Sequence, residues 1–367
     1  MSSPLTFTFF KASFRGYVVV SILASVVSTT CFSSAQNTAE RGAPLKSQES
    51  AIQQAQALEQ QIRTTPDDAN ARARLLYFYS SAGFQYMPRE EAYRALQPHF
   101  LWFIEHQPGS QILLMLSPLV QPTKDPEGFA EASTLWLKQI DRYPDDPAVL
   151  ENAGRFFAEA DRKRAEQLLS RVLQLDPTQT MTAAFLAKLY RSDELAAESS
   201  EDRRTIAGKE LSVLENSVKS ADGEDKFDGL TQLTKVAFEA NDMGKAEAYA
   251  NEVLRLAPQY ARSWNYGNAI HDGNSVLGRV RLRQGKIAEA KNYLLMAGKT
   301  PGSPQLNSFG PNMSLAKELL EKGERDVVLQ YFELCSEFWK SGAKKLQDWS
   351  EVVKGNRTPD FGANLHN

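Results

Sequence analysis

Apolar residues recur along this chain at helical spacing, and the spacing itself repeats in phase. Ala165, Leu169, Val172 and Pro177 end one helical stretch, and six residues later Ala183, Leu186, Ala187 and Tyr190 open another at the same offsets. Ala246, Ala250, Val253 and Pro258 close a further unit, while Leu277, Gly278, Gly285, Ala290, Leu294 and Ala297 write most of a complete one. The two-residue alternation of strands appears nowhere, so the pattern predicts an all-α fold. A helix pair repeated in this way leaves one apolar face uncovered. Successive pairs must therefore stack into an α-solenoid, whose concave side is free to hold something.

The same grammar can be followed from end to end. Gln48 to Arg63 is expected to be a polar helix carrying Ile52, Ala55, Leu58 and Ile62, stopped by Pro66. Leu75, Leu76 and Tyr79 then keep the offsets from Pro66 that Leu186, Ala187 and Tyr190 keep from Pro177. Pro88 to His106 reads as a core helix broken only by Pro98, and Ile112 to Val120 as an irregular join among prolines. Leu150, Ala153, Gly154 and Phe157 restore the phase, and Ala165 then arrives one residue early, which calls for a turn shortened by one. Ser192 to Ser200 looks like an insertion or a long turn before a helix over 202–219. Trp264 stands where the first large residue of a lengthened helix belongs, and the chain thins into a tail from Ser341.

The first stretch is different in kind. Lys11 and Arg15 precede the apolar run from Tyr17 to Val27, no acid occurs before Glu40, and Ser33 and Ala35 offer small residues for cleavage before Gln36. Residues 1–35 are thus expected to be a signal peptide or signal anchor, 36–47 a flexible spacer, 48–340 the solenoid and 341–367 a C-terminal tail. The folded part is expected outside the cytoplasm, periplasmic or secreted, with no membrane contact beyond such an anchor. Ser28-Thr29-Thr30 before Cys31 lacks the usual residues of a lipidation signal, so Cys31 is not expected to be acylated. Loss of Cys31 with the signal would leave Cys335 as the only thiol, with stability resting on packing rather than a disulfide.

Composition removes some functions. The 42% hydrophobic and 24% charged side chains are those of a globular protein, and a formal charge of -3 supplies no field for a nucleic-acid backbone. Among the four histidines there is no HExxH, no CxxC pair exists for zinc, and no phosphate-cradling glycine loop appears. No metal, cofactor or catalytic residue is expected, and Cys335 occupies a packing slot that Val172, Val253 and Ala297 fill in other units.

The succession of a large residue, Leu-Gly, Tyr, Ala, an aromatic and Pro resembles the tetratricopeptide repeat, over about six units between residues 66 and 340. Leu-Gly is complete only at Leu277-Gly278, and Thr234 replaces the glycine in one unit. The block from Thr300 to Leu320, with Pro304, Phe309, Gly310, Pro311 and Asn312, is similar to a segment of uncharacterised exported bacterial members of this class. The resemblance implies a helical scaffold for protein or peptide partners. It implies no chemistry.

Two sets of residues are candidates for that work. Arg155, Lys188, Lys235, Arg279 and Lys317 each follow the small residue of a unit, a placement that the resemblance puts on the concave wall. They could meet successive carboxylates of an acidic, extended segment, or they could simply form a solvated helix face. The run from Asn265 to Asn274 is the second set. Asn265, Asn268 and Asp272 share a helix side, His271 lies a turn beyond Asn268, and Asn274 ends the run. These groups could ligate a small polar molecule or brace the loop from Pro301 to Pro311. The expectation is a non-catalytic binding scaffold. The alternatives are a small-molecule receptor around Asn268, His271 and Asp272, or an enzyme with an irregular site near residues 300–312.

Overall fold

A computed structural model describes residues 48–366, except residue 82 and residues 117–119. The signal segment, the spacer and Cys31 lie outside the described residues. Every regular element that is described is a helix.

The N-terminal part comprises α1 (Gln48–Thr64), α2 (Ala69–Ser80), the short α3 (Gly83–Tyr86), α4 (Arg89–His106), α5 (Gln111–Leu116) and α6 (Pro126–Arg142). Helix pairs follow: α7 (Pro147–Phe157) with α8 (Arg162–Leu175), α9 (Thr180–Ala196) with α10 (Ser200–Lys219), and α11 (Gly223–Glu239) with α12 (Met243–Leu256). After a 3₁₀ turn come α13 (Tyr266–Arg283) with α14 (Ile287–Gly298), the short α15 (Pro304–Phe309), α16 (Ser314–Glu321) with α17 (Arg325–Phe338), and α18 (Ala343–Lys354). Each pair packs on itself and on its neighbours: α11 meets α13, α13 meets α16, and α14 meets α17. The architecture is an all-α, solenoid-like stack of helix pairs.

Local chemistry sets the pair geometry. Asp146 accepts hydrogen bonds from the backbone N–H groups of Ala148 and Val149 at the start of α7, where Pro147 takes a position that needs no donor. Asp161 and Asp242 cap α8 and α12 in the same way. In three pairs the seventh residue past the small position turns left-handed: Asn241, Gly285 and Gly323. Glycine or asparagine is the expected choice at such a φ. Between α7 and α8 the seventh place is already the cap Asp161, so the residue missing from the shortened turn is the left-handed one.

Apolar burial forms three contiguous clusters among the described residues. The first spans α1 to α9 around Leu75, Phe100, Trp136 and Leu169; the second joins α9 to α13 around Phe227, Ala246 and Leu277; the third joins α13 to α18 around Leu319, Phe332 and Trp349. Small residues set the spacing. A Cβ on Gly278 would stand 2.3 Å from the Leu315 side chain, so α13 and α16 approach as closely as that glycine permits.

Four expectations change in three dimensions. The segment from Ser192 is not an added turn: α9 runs on to Ala196, and Ser199 caps α10 through the Asp202 N–H. Trp264 is 50% exposed, and α13 begins two residues later, so it is not the packing residue of that helix. The join after His106 contains α5, and buried Asn152 donates to the carbonyls of Pro108 and Ser110. The tail from Ser341 is part of the fold, because α18 buries Leu346, Trp349 and Val353 and a turn beyond it buries Phe361 and Asn364. Isolated large residues in a polar stretch carry too little periodicity to announce such docking.

Candidate functional site

The first helices of four successive pairs converge on one cavity of about 620 Å³. α9 contributes Arg191, Glu194 and Leu195, α11 contributes Lys235 and Glu239, α13 contributes Asp272, Ser275, Arg279 and Arg283, and α16 contributes Ser314, Lys317, Glu318 and Glu321. On each helix these positions recur at three- and four-residue steps, the spacing of one helical face. Arg203 at the start of α10 and His366 close the rim. The extension of α9 past Tyr190 is what brings Arg191 and Glu194 into the wall.

Of the five bases that follow small residues, three line this cavity and two do not. Lys235, Arg279 and Lys317 are in the wall. Arg155 donates from Nε and Nη2 to Glu151 Oε1 at 3.1 and 2.8 Å, and its guanidinium lies 4.3 Å from the Phe185 ring centre. Lys188 is exposed and outside the cavity. The expected uniform basic stripe is corrected accordingly: its first two members do not line this cavity, and acids share the wall with the rest. Those acids occupy the same helix faces one turn along, at Glu239 and Glu321, and the i+4 relation could have pointed to them.

Most of the charge in the wall is already paired. Lys235 Nζ lies 3.0 Å from Asp272 Oδ2, and Arg191 lies 2.7 Å from Glu194. Arg279 bridges Glu239 on α11 and Glu318 on α16, at 3.1 Å each, while stacked 3.9 Å from the Phe238 centre. Arg203 donates to the Ala197 and Glu198 carbonyls and acts on Glu194 at longer range, and Lys317 has no carboxylate in ion-pair contact among the described residues. Two buried polar atoms at the wall are also unmatched: the Ser275 hydroxyl and Oε2 of Glu318.

A buried carboxyl backs the α9 side. Glu210 on α10 is 6% exposed, with Oε2 unpartnered, and burial pushes it up to about 7 against the pull of Arg191 and Lys235. Burial likewise raises Glu194, only partly offset by Arg191. Asp272 behaves oppositely. Burial alone would raise it, but Lys235 and His271 together hold its carboxyl below the ordinary carboxylate value.

The polar run on α13 divides into two functions rather than forming one site. Asn268 accepts from the Ser303 hydroxyl at 2.6 Å and donates to Asn265 Oδ1 and Gln305 Oε1, while Thr300 donates to the Gly267 carbonyl at 2.7 Å. These bonds tie α13 to the loop before α15. Gly267 permits the approach, since a Cβ there would fall 1.8 Å from the Gly302 carbonyl oxygen. His271 faces inward instead. Its Nδ1 lies 2.9 Å from Asp272 Oδ1 and its Nε2 lies 3.0 Å from the Tyr331 hydroxyl, so a buried polar chain links the third cluster to Lys235 in the cavity wall. Asn274 donates back to the Ile270 carbonyl of its own helix.

Other reactive groups are enclosed. Cys335 is fully buried, and burial pushes its thiol up, away from the nucleophilic thiolate. His99 sits in the first cluster between Arg72 and Glu59, where burial lowers its proton affinity. Among the described residues no three metal-ligating side chains cluster, and no helix is long and apolar enough to cross a membrane. Neither the protein-family models nor the curated proteins compared with the chain give a match.

Proposed function

We propose that this protein is a non-catalytic scaffold of tetratricopeptide-like helix pairs, exported by its N-terminal segment, that holds an extended charged segment of a protein partner in the cavity. The observation that carries this reading is the wall itself: four successive first helices present charged residues to one opening, and Lys317 stands there with no carboxylate in ion-pair contact among the described residues. A cation with no acid in ion-pair contact, as at Lys317, attracts an oppositely charged segment at long range and then binds it through charge-assisted hydrogen bonds. Each pair in the stack adds a further contact along an extended chain.

The wall composition favours a segment over a compact small molecule. Small-ligand pockets are mostly apolar with a few polar groups, whereas charged side chains dominate here. The receptor alternative draws support from one quantity, a volume within the range of about 300–1,000 Å³ of small-molecule sites. Of Asn268, His271 and Asp272, on which that alternative first rested, the first two are occupied by Ser303, Gln305 and Tyr331, and Asp272, which lines the cavity, is paired with Lys235.

The test is a photo-crosslinking amino acid placed at Leu195, which is 53% exposed on the rim, and at Tyr77, which is 44% exposed on α2. A discrete adduct with one protein from Leu195 alone, diminished by Lys317→Glu, is the expected outcome. Equal adducts from both positions, or none from Leu195, would remove the cavity as the binding site.

A further inference from the structure

We propose that the corner of the cavity between α13 and α16 recognises a pair of opposite charges on neighbouring groups of the bound segment: an ammonium or guanidinium at Ser275 and Glu318, and a carboxylate at Lys317. This rests on the binding function proposed above and specifies the chemistry of its ligand.

Ser275 is 7% exposed, faces the cavity, and its hydroxyl has no hydrogen-bond partner. Glu318 uses Oε1 for Arg279, with Arg283 3.5 Å from the same oxygen, while its buried Oε2 accepts from nothing. Native proteins seldom leave buried polar atoms unmatched, so two of them beside one opening point to a group that arrives from outside. That group must donate. A carboxylate would be repelled by Glu318, whereas an N–H cation can give a hydrogen bond to Oε2, and the Ser275 hydroxyl can meet either charge.

The second charge is set by the next residue along. Lys317 precedes Glu318 on α16, lines the same cavity, and has no acid partner among the described residues. Arg279, by contrast, is neutralised by Glu239 and Glu318, Arg283 shares Glu318 at 3.5 Å, and Lys235 is paired with Asp272. Lys317 is therefore the cation of this corner left to receive a carboxylate. A purely acidic segment would satisfy Lys317 and the Ser275 hydroxyl, which can donate, and leave Glu318 Oε2 unmet. A purely basic one would satisfy the acceptors and meet repulsion from Lys317. Opposite charges placed close together satisfy all three groups, and the mismatched alternatives are disfavoured by the same wall.

The experiment measures binding of three acetylated, amidated hexapeptides to the full chain by calorimetry: one alternating Glu and Lys, one all Glu, one all Lys. The alternating peptide is expected to bind at least tenfold more tightly than the others. Ser275→Ala and Lys317→Gln are each expected to weaken it at least fivefold without changing the melting temperature. Tighter binding of the all-Glu peptide, abolished by Lys317→Gln, would overturn the paired-charge inference while leaving the cavity as the binding site. Binding of no peptide, or binding indifferent to Lys317→Gln, would overturn both.

Discussion

Arg155 and Arg279 hold the same place in their repeats, one residue past the small glycine, and the structure uses them in opposite ways. Arg155 is closed on its own helix by Glu151, one turn before it, and stacks on Phe185. Arg279 reaches across to two other units, binding Glu239 and Glu318, and stacks on Phe238. The difference lies four residues upstream. Glu151 precedes Arg155 by one turn, whereas the equivalent residue before Arg279 is Ser275, which cannot neutralise it. Arg155, with an acid one turn before it, is spent within its own helix; Arg279, with a serine there, joins units.

Substitutions can break this comparison, beginning where units are joined most tightly. Gly267→Ala should cost about 3 kcal/mol or more in urea unfolding, because the added carbon meets the Gly302 backbone rather than a movable side chain. Gly208→Ala serves as its control in a helix with open space around it, and should be neutral or slightly stabilising. A small loss at Gly267 would show that the loop before α15 yields easily.

Arg279→Ala should cost about 2 kcal/mol, since it removes the bridge between Glu239 and Glu318 and leaves the latter only Arg283, 3.5 Å away. A double-mutant cycle with Glu318→Gln should return a coupling of about 1 kcal/mol or more. Additive effects would mean that the bridge does not join the units.

Glu210→Gln probes the acid that lacks what Glu151 has. The folded carboxyl titrates near 7 and the free one near 4.5, so the folded state binds the extra proton between these values. Stability conferred by that proton is present at low pH and is lost as pH rises through 7. The amide cannot ionise, so the variant should exceed the native protein by about 2 kcal/mol at pH 8 and differ little at pH 5. A pH-independent difference would place the titration elsewhere.

The smallest effect is expected at Arg155. Arg155→Ala should cost less than about 1 kcal/mol, and coupling to Glu151 should stay near about 0.5 kcal/mol, as for an ordinary i,i+4 pair. Equal costs at Arg155 and Arg279 would erase the distinction between local and cross-unit bases.

Much of the architecture was legible in the residues. The phase of small and large positions marks the helix pairs from Pro147 onward, and the shortened turn before Ala165 is visible as a missing residue. The cavity was legible only in part. Lys235, Arg279, Lys317 and Asp272 were candidates, whereas Arg191, Glu194 and Arg203 were hidden in a stretch that looked like a turn. The polar run on α13 was read as one group, but a helix presents its sides to different neighbours. Asn268 meets the loop, His271 meets Tyr331, and Asp272 meets Lys235.

What the sequence determined by itself was periodic and local: helices, their caps, the all-α class, and the pairing of Arg155 with Glu151 within one turn. Tertiary structure alone decided which charges share the cavity, which are spent, and how the residues after Ser341 complete the third core cluster. The reason is range. Hydrogen bonds of helices and turns join residues a few places apart, whereas Arg279 meets partners 40 residues before it and 39 after it. Only the packing of whole units brings those together.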